Sequence, residues 1–205
     1  PMNLKDAPLI AFAKFLDEKQ DVAEFSINKH NEQFQLSVKG HAVLDQPLCP
    51  AGEYIELAVR AANLLQQDSD HSSDLWCIEN LNIMAPLGLD TQAPLKLKSN
   101  QVRGSKSTFE FQLLSEPPSG SSAKPTVQGT GRVSLHDPDN KATAKEFART
   151  ERLIDSRRYD ALVRDSDAEL LQGGMIYKMF SKVVSYSDFY KGKKWHPATN
   201  GQFLS

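Results

Sequence analysis

Apolar positions along this chain change period several times, and each change predicts a different element. Phe25-Ser26-Ile27 and Phe34-Gln35-Leu36-Ser37-Val38 alternate apolar and polar side chains on either side of a polar turn at 28–33. That is the pattern of a β-hairpin. Residues 9–16 form a denser apolar cluster, read as a short helix or docking segment. From 51 to 67 the period becomes helical: Ile55, Ala58, Ala62 and Leu65 make one stripe, and Leu57, Ala61 and Leu64 widen it. A helix apolar over so much of its circumference is buried on several sides. Pro50 suits its first turn, while Glu53 and Glu56 suit the positive end of its dipole.

Beyond a polar loop at 66–73, strand-like runs are expected at 75–78, 81–84, 95–97, 109–113 and 126–135. A Ser-, Pro- and Gly-rich stretch at 115–123 reads as a flexible hairpin loop between the last two. Gly129 and Gly131 inside the final strand predict a bulge or a close backbone approach. A hairpin, one long buried helix and then several antiparallel strands describe an α+β domain. The architecture expected is a hot-dog fold, a curved antiparallel sheet wrapped around a central helix.

After residue 137 the character changes. A charge-laced helical stretch at 142–164 has Phe147, Leu153, Ile154, Tyr159 and Leu162 as its apolar anchors. Gly173-Gly174 then leads into an aromatic-rich segment containing Tyr177, Phe180, Tyr186, Phe189, Tyr190 and Trp195. The expected organisation is a first hot-dog over 1–137, a linker over 138–172, and the opening of an incomplete second hot-dog over 173–205. Tyr177, Phe180, Tyr186 and Phe189 are expected to be core residues.

With 205 residues, 40% of them hydrophobic, the chain can bury a real core. Its net charge of −2 gives no basic surface for nucleic acid. No apolar run has the roughly 18 to 20 residues needed to cross a bilayer. Cys49 and Cys77 do not make a disulfide framework, so the expected setting is a reducing cytoplasm, and Cys49 reads as a buried structural thiol. His30, His71, His136 and His196 show no metal-ligand spacing. Arg157-Arg158 and the lysines of 191–194 read as solvated faces, or as a docking patch for an acidic partner. The start Pro1-Met2 suggests a segment of something longer.

The chemistry converges on His41, which stands between a strand-like segment and the long helix. A neutral imidazole beside an apolar helix can remove a proton α to a carbonyl, while unsatisfied backbone N–H groups at a helix start can polarise a thioester carbonyl. The wider run resembles known families. His41 and Pro50 are similar to the His-x3-Gly-x4-Pro signature of polyketide and fatty-acid synthase dehydratases. The fuller pattern more closely resembles the product template domains of fungal non-reducing polyketide synthases: Gly40-His41-x-Val43-x3-Pro47-Leu48-Cys49-Pro50-Ala51-x-x-Tyr54-x-Glu56-x-Ala58. A second, independent motif runs from Gly174-Met175-Ile176-Tyr177-Lys178-Met179-Phe180 to Tyr190-Lys191-Gly192.

The resemblance implies a double hot-dog that steers aldol cyclisation and aromatisation of a poly-β-ketone. The substrate would arrive on the phosphopantetheine arm of an acyl carrier protein, among other polyketide synthase domains, with no metal or organic cofactor of the domain's own. It implies His41 as general base, with Cys49, Pro50, Gly52 and Tyr54 bordering the substrate, and a homodimer is a reasonable expectation. Two departures stand out. Asp45 replaces the glycine of the dehydratase signature, which predicts a different turn after His41. The family's catalytic aspartate has no match here, since Asp165, Asp167 and Asp188 do not fit that role. Two other readings stay open: a dehydratase of β-hydroxyacyl thioesters, and a non-catalytic hot-dog for docking or dimerisation.

Overall fold

The computed structural model describes residues 7–66, 75–89, 93–117, 120–137, 139–152, 156–168 and 173–191. Six strands form one antiparallel sheet: β1 (Ile10–Phe15), β2 (Val22–Ile27), β5 (Leu75–Ile83), β6 (Leu95–Gln101), β7 (Thr108–Ser115) and β8 (Thr126–His136). Their spatial order is β1-β2-β6-β7-β8-β5. Helix α2 (Ala51–Leu65) packs across this sheet against β1 and β5–β8. The hot-dog architecture expected from the sequence is therefore present.

The core lies between α2 and the sheet. Leu57, Ala61 and Ala62 of α2 are fully buried, as are Phe25, Leu97 and Leu113 of the strands. Each large side chain of this set contributes about 1.5–3 kcal/mol relative to leaving it in water. The two alanines let the helix lie close to the sheet. Gly129 and Gly131 make the close approaches anticipated for β8. A Cβ at Gly129 would sit 2.8 Å from the Tyr54 ring, and one at Gly131 would sit 2.7 Å from Phe111.

Three local readings are corrected. Residues 9–16 hold edge strand β1, not a helix. A bulge between Phe12 and Lys14 breaks the two-residue alternation and brings the Phe12 and Phe15 rings to 4.9 Å, so the apolar spacing mimics a helix. The second arm of the expected hairpin is instead helix α1 (Glu32–Lys39). Asn31 caps it, its side-chain oxygen accepting the Gln33 and Phe34 N–H groups at 3.0 and 3.4 Å. Phe34 and Val38 are buried at helical spacing, while Leu36 is exposed. The runs at 75–78 and 81–84 are one strand, β5, with a register shift between Glu79 and Asn82.

The stretch at 142–164 is two helices, α3 (Lys141–Glu151) and α4 (Ser156–Arg164). Its expected anchors Phe147, Tyr159 and Leu162 are exposed, so these helices bury little; Leu153 and Ile154 lie outside the described residues, as does most of 66–73. A smaller sheet of order β4-β3-β9 joins β3 (His41–Val43), β4 (Gln46–Pro47) and β9 (Val184–Tyr186). Helix α5 (Gly173–Phe180) precedes β9. Hence 173–191 docks its strand on the His41 strand.

Leu44 and Asp45 link β3 to β4 with both residues left-handed, at φ 48° and 64°. Asp45 adopts that conformation without glycine. Two L-residues there cost about 1–2 kcal/mol each. Leu44→Asn with Asp45→Gly is therefore expected to raise stability by about 1 kcal/mol, read as a higher denaturant midpoint at unchanged slope. In the core, Gly129→Ala should cost about 1–3 kcal/mol through the Tyr54 clash. Gly52→Ala meets nothing within 4 Å and should be neutral or stabilising by up to about 1 kcal/mol, measured the same way.

Candidate functional site

His41 owes its position to a backbone that turns back within seven residues. Gly40 ends α1, its N–H donating to the Leu36 carbonyl at 2.9 Å. The chain then runs through β3, the Leu44-Asp45 turn and β4. Leu48 N–H donates to the His41 carbonyl at 2.9 Å, and His41 Nδ1 lies 2.9 Å from the Leu48 carbonyl oxygen. A carbonyl can only accept, so Nδ1 carries the proton and Nε2 keeps the basic lone pair. The imidazole is half-buried and oriented.

The other side of the site comes from 173–191. β9 pairs with β3 so that His41 stands opposite Tyr186. Ser187 N–H donates to the Gly40 carbonyl at 2.8 Å. Gly40 has no room for a side chain: a Cβ would collide with Ser187 Oγ and sit 3.0 Å from the Tyr190 ring. The His41 ring lies 5.6 Å from Tyr186 and 6.4 Å from Tyr190 between centroids. Ile176, Tyr177, Phe180, Val184, Tyr186 and Tyr190 line an open cavity of about 560 Å³; His41 is not among the lining residues and packs against Tyr186 and Tyr190. These aromatics are not core, contrary to expectation: Phe180 and Phe189 are exposed, and Tyr177 and Tyr186 are half-buried.

The remaining candidates from the sequence take different places. Cys49 is buried, donates its N–H to Leu87 at 2.7 Å, and has its thiol pKa pushed well up by burial and then by Glu53. A thiol so held is not a ready thiolate. Tyr54 is buried against Gly129 with its pKa likewise raised by burial and then by Cys49, and its hydroxyl has no partner among the described residues. Pro50 precedes α2 without a side-chain cap, and Gly52 is exposed in its first turn. None of these four lines the cavity around Tyr186. Among the described residues no three His, Cys, Asp or Glu side chains converge as metal ligands, and no helix is long and apolar enough to cross a membrane.

Asp188 is exposed and pairs with Lys191 at 3.3 Å, and Asp165 accepts the Asp167 N–H at 3.0 Å. His71, His196, Lys193, Lys194 and Trp195 lie outside the described residues. Ser37 and Tyr190 stood in the sequence patterns without a role assigned to them, and Glu53 was read only as a dipole partner. Glu53 is in fact buried, with its carboxyl pKa raised mainly by loss of water. An acidic residue within the buried stripe of a helix was the available signal.

Residues 15–116 match the family model described as the polyketide synthase dehydratase domain. The chain is 39% identical over 183 residues to the non-reducing polyketide synthase pkbA of Emericella nidulans, covering 89% of this chain and 7% of that protein. It is 36% identical over 184 residues to 5-methylorsellinic acid synthase of Aspergillus terreus, covering 90% of this chain and again 7% of the relative. The chain thus spans a small part of multidomain synthases. Among solved structures it is similar to the dehydratase domain from the CurF module of curacin polyketide synthase, with a TM-score of 0.59 at 16% identity, covering 86% of this chain and 56% of that one. The corresponding CurK dehydratase gives 0.57 at 13% identity, over 90% and 57%. This chain therefore belongs to the dehydratase-like hot-dog domains of polyketide synthases, as found in the fungal non-reducing enzymes.

Proposed function

We propose that this domain directs aldol cyclisation of a carrier-tethered poly-β-ketone, with His41 as general base. One observation carries the reading: the Leu48 carbonyl holds Nδ1, so Nε2 is the proton acceptor of a ring packed against Tyr186 and Tyr190, two of the aromatics that line the cavity. Nε2 takes an acidic proton from a methylene between two carbonyls. The resulting carbanion attacks a distant carbonyl of the same chain, and water then leaves as the ring becomes aromatic. Tyr186 and Tyr190 offer flat faces against which an extended, partly enolised chain can lie. Substrate arrives on the phosphopantetheine arm of an acyl carrier protein, the form in which neighbouring synthase domains would pass it on.

The dehydratase reading has its own support in the family model matched by 15–116. It uses the same base to remove the α-proton of a β-hydroxyacyl thioester. The two reactions differ in carbon connectivity, so product analysis separates them. His41→Ala and His41→Gln in the intact synthase are expected to lower the rate of directed cyclisation by about a hundredfold to ten-thousandfold. Mass spectrometry and NMR of the released products should then show spontaneous cyclisation patterns. An unchanged product distribution overturns catalysis by His41, and dehydration of a β-hydroxyacyl substrate without cyclisation of a poly-β-ketone assigns the domain to dehydration.

A further inference from the structure

We propose that Tyr190 is a positioning residue: its hydroxyl, held by Ser37 at the C-terminal end of α1, fixes the cavity-lining segment 184–191 against the His41 strand. The clasp itself stands on geometry alone; its bearing on chemistry rests on the functional reading above.

The end of α1 creates the need for a donor. A helix leaves its last four carbonyls without intrahelical N–H partners, and the Ser37 carbonyl is one of these, since α1 ends at Lys39 and the chain turns into β3. Ser37 is buried, which makes an unpaired carbonyl there costly. Tyr190 Oη donates to that carbonyl at 2.9 Å. The same oxygen lies 2.9 Å from Ser37 Oγ. The phenol has one proton and gives it to the carbonyl, which can only accept, so the Ser37 hydroxyl donates to Tyr190 Oη. Both bonds form together, and a phenol so committed keeps no proton to give elsewhere.

The path of the backbone explains how one hydroxyl can hold the wall. The β3–β9 ladder sets His41 opposite Tyr186, and beyond it Ser187 N–H donates to the Gly40 carbonyl at 2.8 Å. A tight turn follows, with the Tyr190 and Lys191 N–H groups donating to the Ser187 carbonyl at 3.0 and 3.2 Å. It brings the Tyr190 ring back over Gly40, where a Cβ would sit 3.0 Å from the ring. Tyr190 thereby reaches α1 through its hydroxyl while its ring lies 6.4 Å from His41 and 5.9 Å from Tyr186 between centroids, and it lines the cavity. Phe189 beside it is exposed, so burial of its neighbour does not hold the turn.

A double-mutant cycle in the full chain tests this, read by hydrogen–deuterium exchange and by the His41 imidazole resonances in NMR. Tyr190→Phe keeps the ring and removes both bonds; protection of amides in 184–191 is expected to fall about tenfold, with β6–β8 unchanged. Ser37→Ala removes one bond and should cost about threefold. The double variant should match Tyr190→Phe, because the two side chains share one interaction. The His41 ring protons should also shift in Tyr190→Phe as the wall moves, although the aromatic ring is kept. If Tyr190→Phe loosens β6–β8 as well, the coupling in the double variant decides. Losses that multiply in the double variant, or unaltered protection and His41 resonances in Tyr190→Phe, overturn the clasp. In the intact synthase Tyr190→Phe is expected to move the released products toward spontaneous cyclisation patterns; a loosened wall with an unchanged product distribution overturns the positioning role. A coupled clasp in a domain that forms no cyclised product leaves the clasp standing and removes the cyclase reading instead.

Discussion

The hydrogen bond between His41 Nδ1 and the Leu48 carbonyl sets what this site can do. It selects the tautomer, and it exists only because the chain reverses through Leu44 and Asp45 and returns antiparallel to its own strand. The same two residues exchange a backbone hydrogen bond, so ring orientation and strand pairing are a single constraint. Disturbing the turn would free the imidazole as well as the backbone. Such coupling explains why two left-handed L-residues persist at a cost: their conformation delivers Leu48 to His41.

The large elements were legible because burial enforces their periods. Helix α2 and strands β6 to β8 follow stripes set by contact with one core, and Gly129 and Gly131 marked the close approach of rings to β8. The errors came where a local interaction outweighs the period. At α1 an asparagine cap turns an alternating run into a helix. At β1 a bulge shifts Phe15 onto the Phe12 face and imitates helical spacing. The site was half legible. His41 stood out through its motif, but the partners that enclose it come from about 145 residues further along the chain, Tyr186 opposite His41. No local pattern encodes that pairing.

Buried polar groups in the region run against ordinary core economy. An unsatisfied buried oxygen costs about 1–3 kcal/mol, and both Glu53 Oε1 and Tyr54 Oη lack partners among the described residues. A leucine at 53 would fill the buried stripe without that cost. Local departures from the rules of a packed core gather where geometry must be specified as well as enclosed.

The His41 strand and the cavity wall it packs against are held by different physics. His41 sits on a strand tied through Leu48 and Cys49 to the loop at Leu87 and Gly88, next to the packed core. The wall belongs to residues 173–191, where Met175, Met179, Phe180, Val183 and Phe189 are exposed. With so little apolar burial, the hydrophobic effect cannot fix the wall's position, and segments of this kind lie at the low end of local stability. Position must then come from directional bonds: the β3–β9 ladder, Ser187 to Gly40, and Tyr190 to Ser37. The region thus joins a side tied to the packed core to a side whose position depends on a few hydrogen bonds.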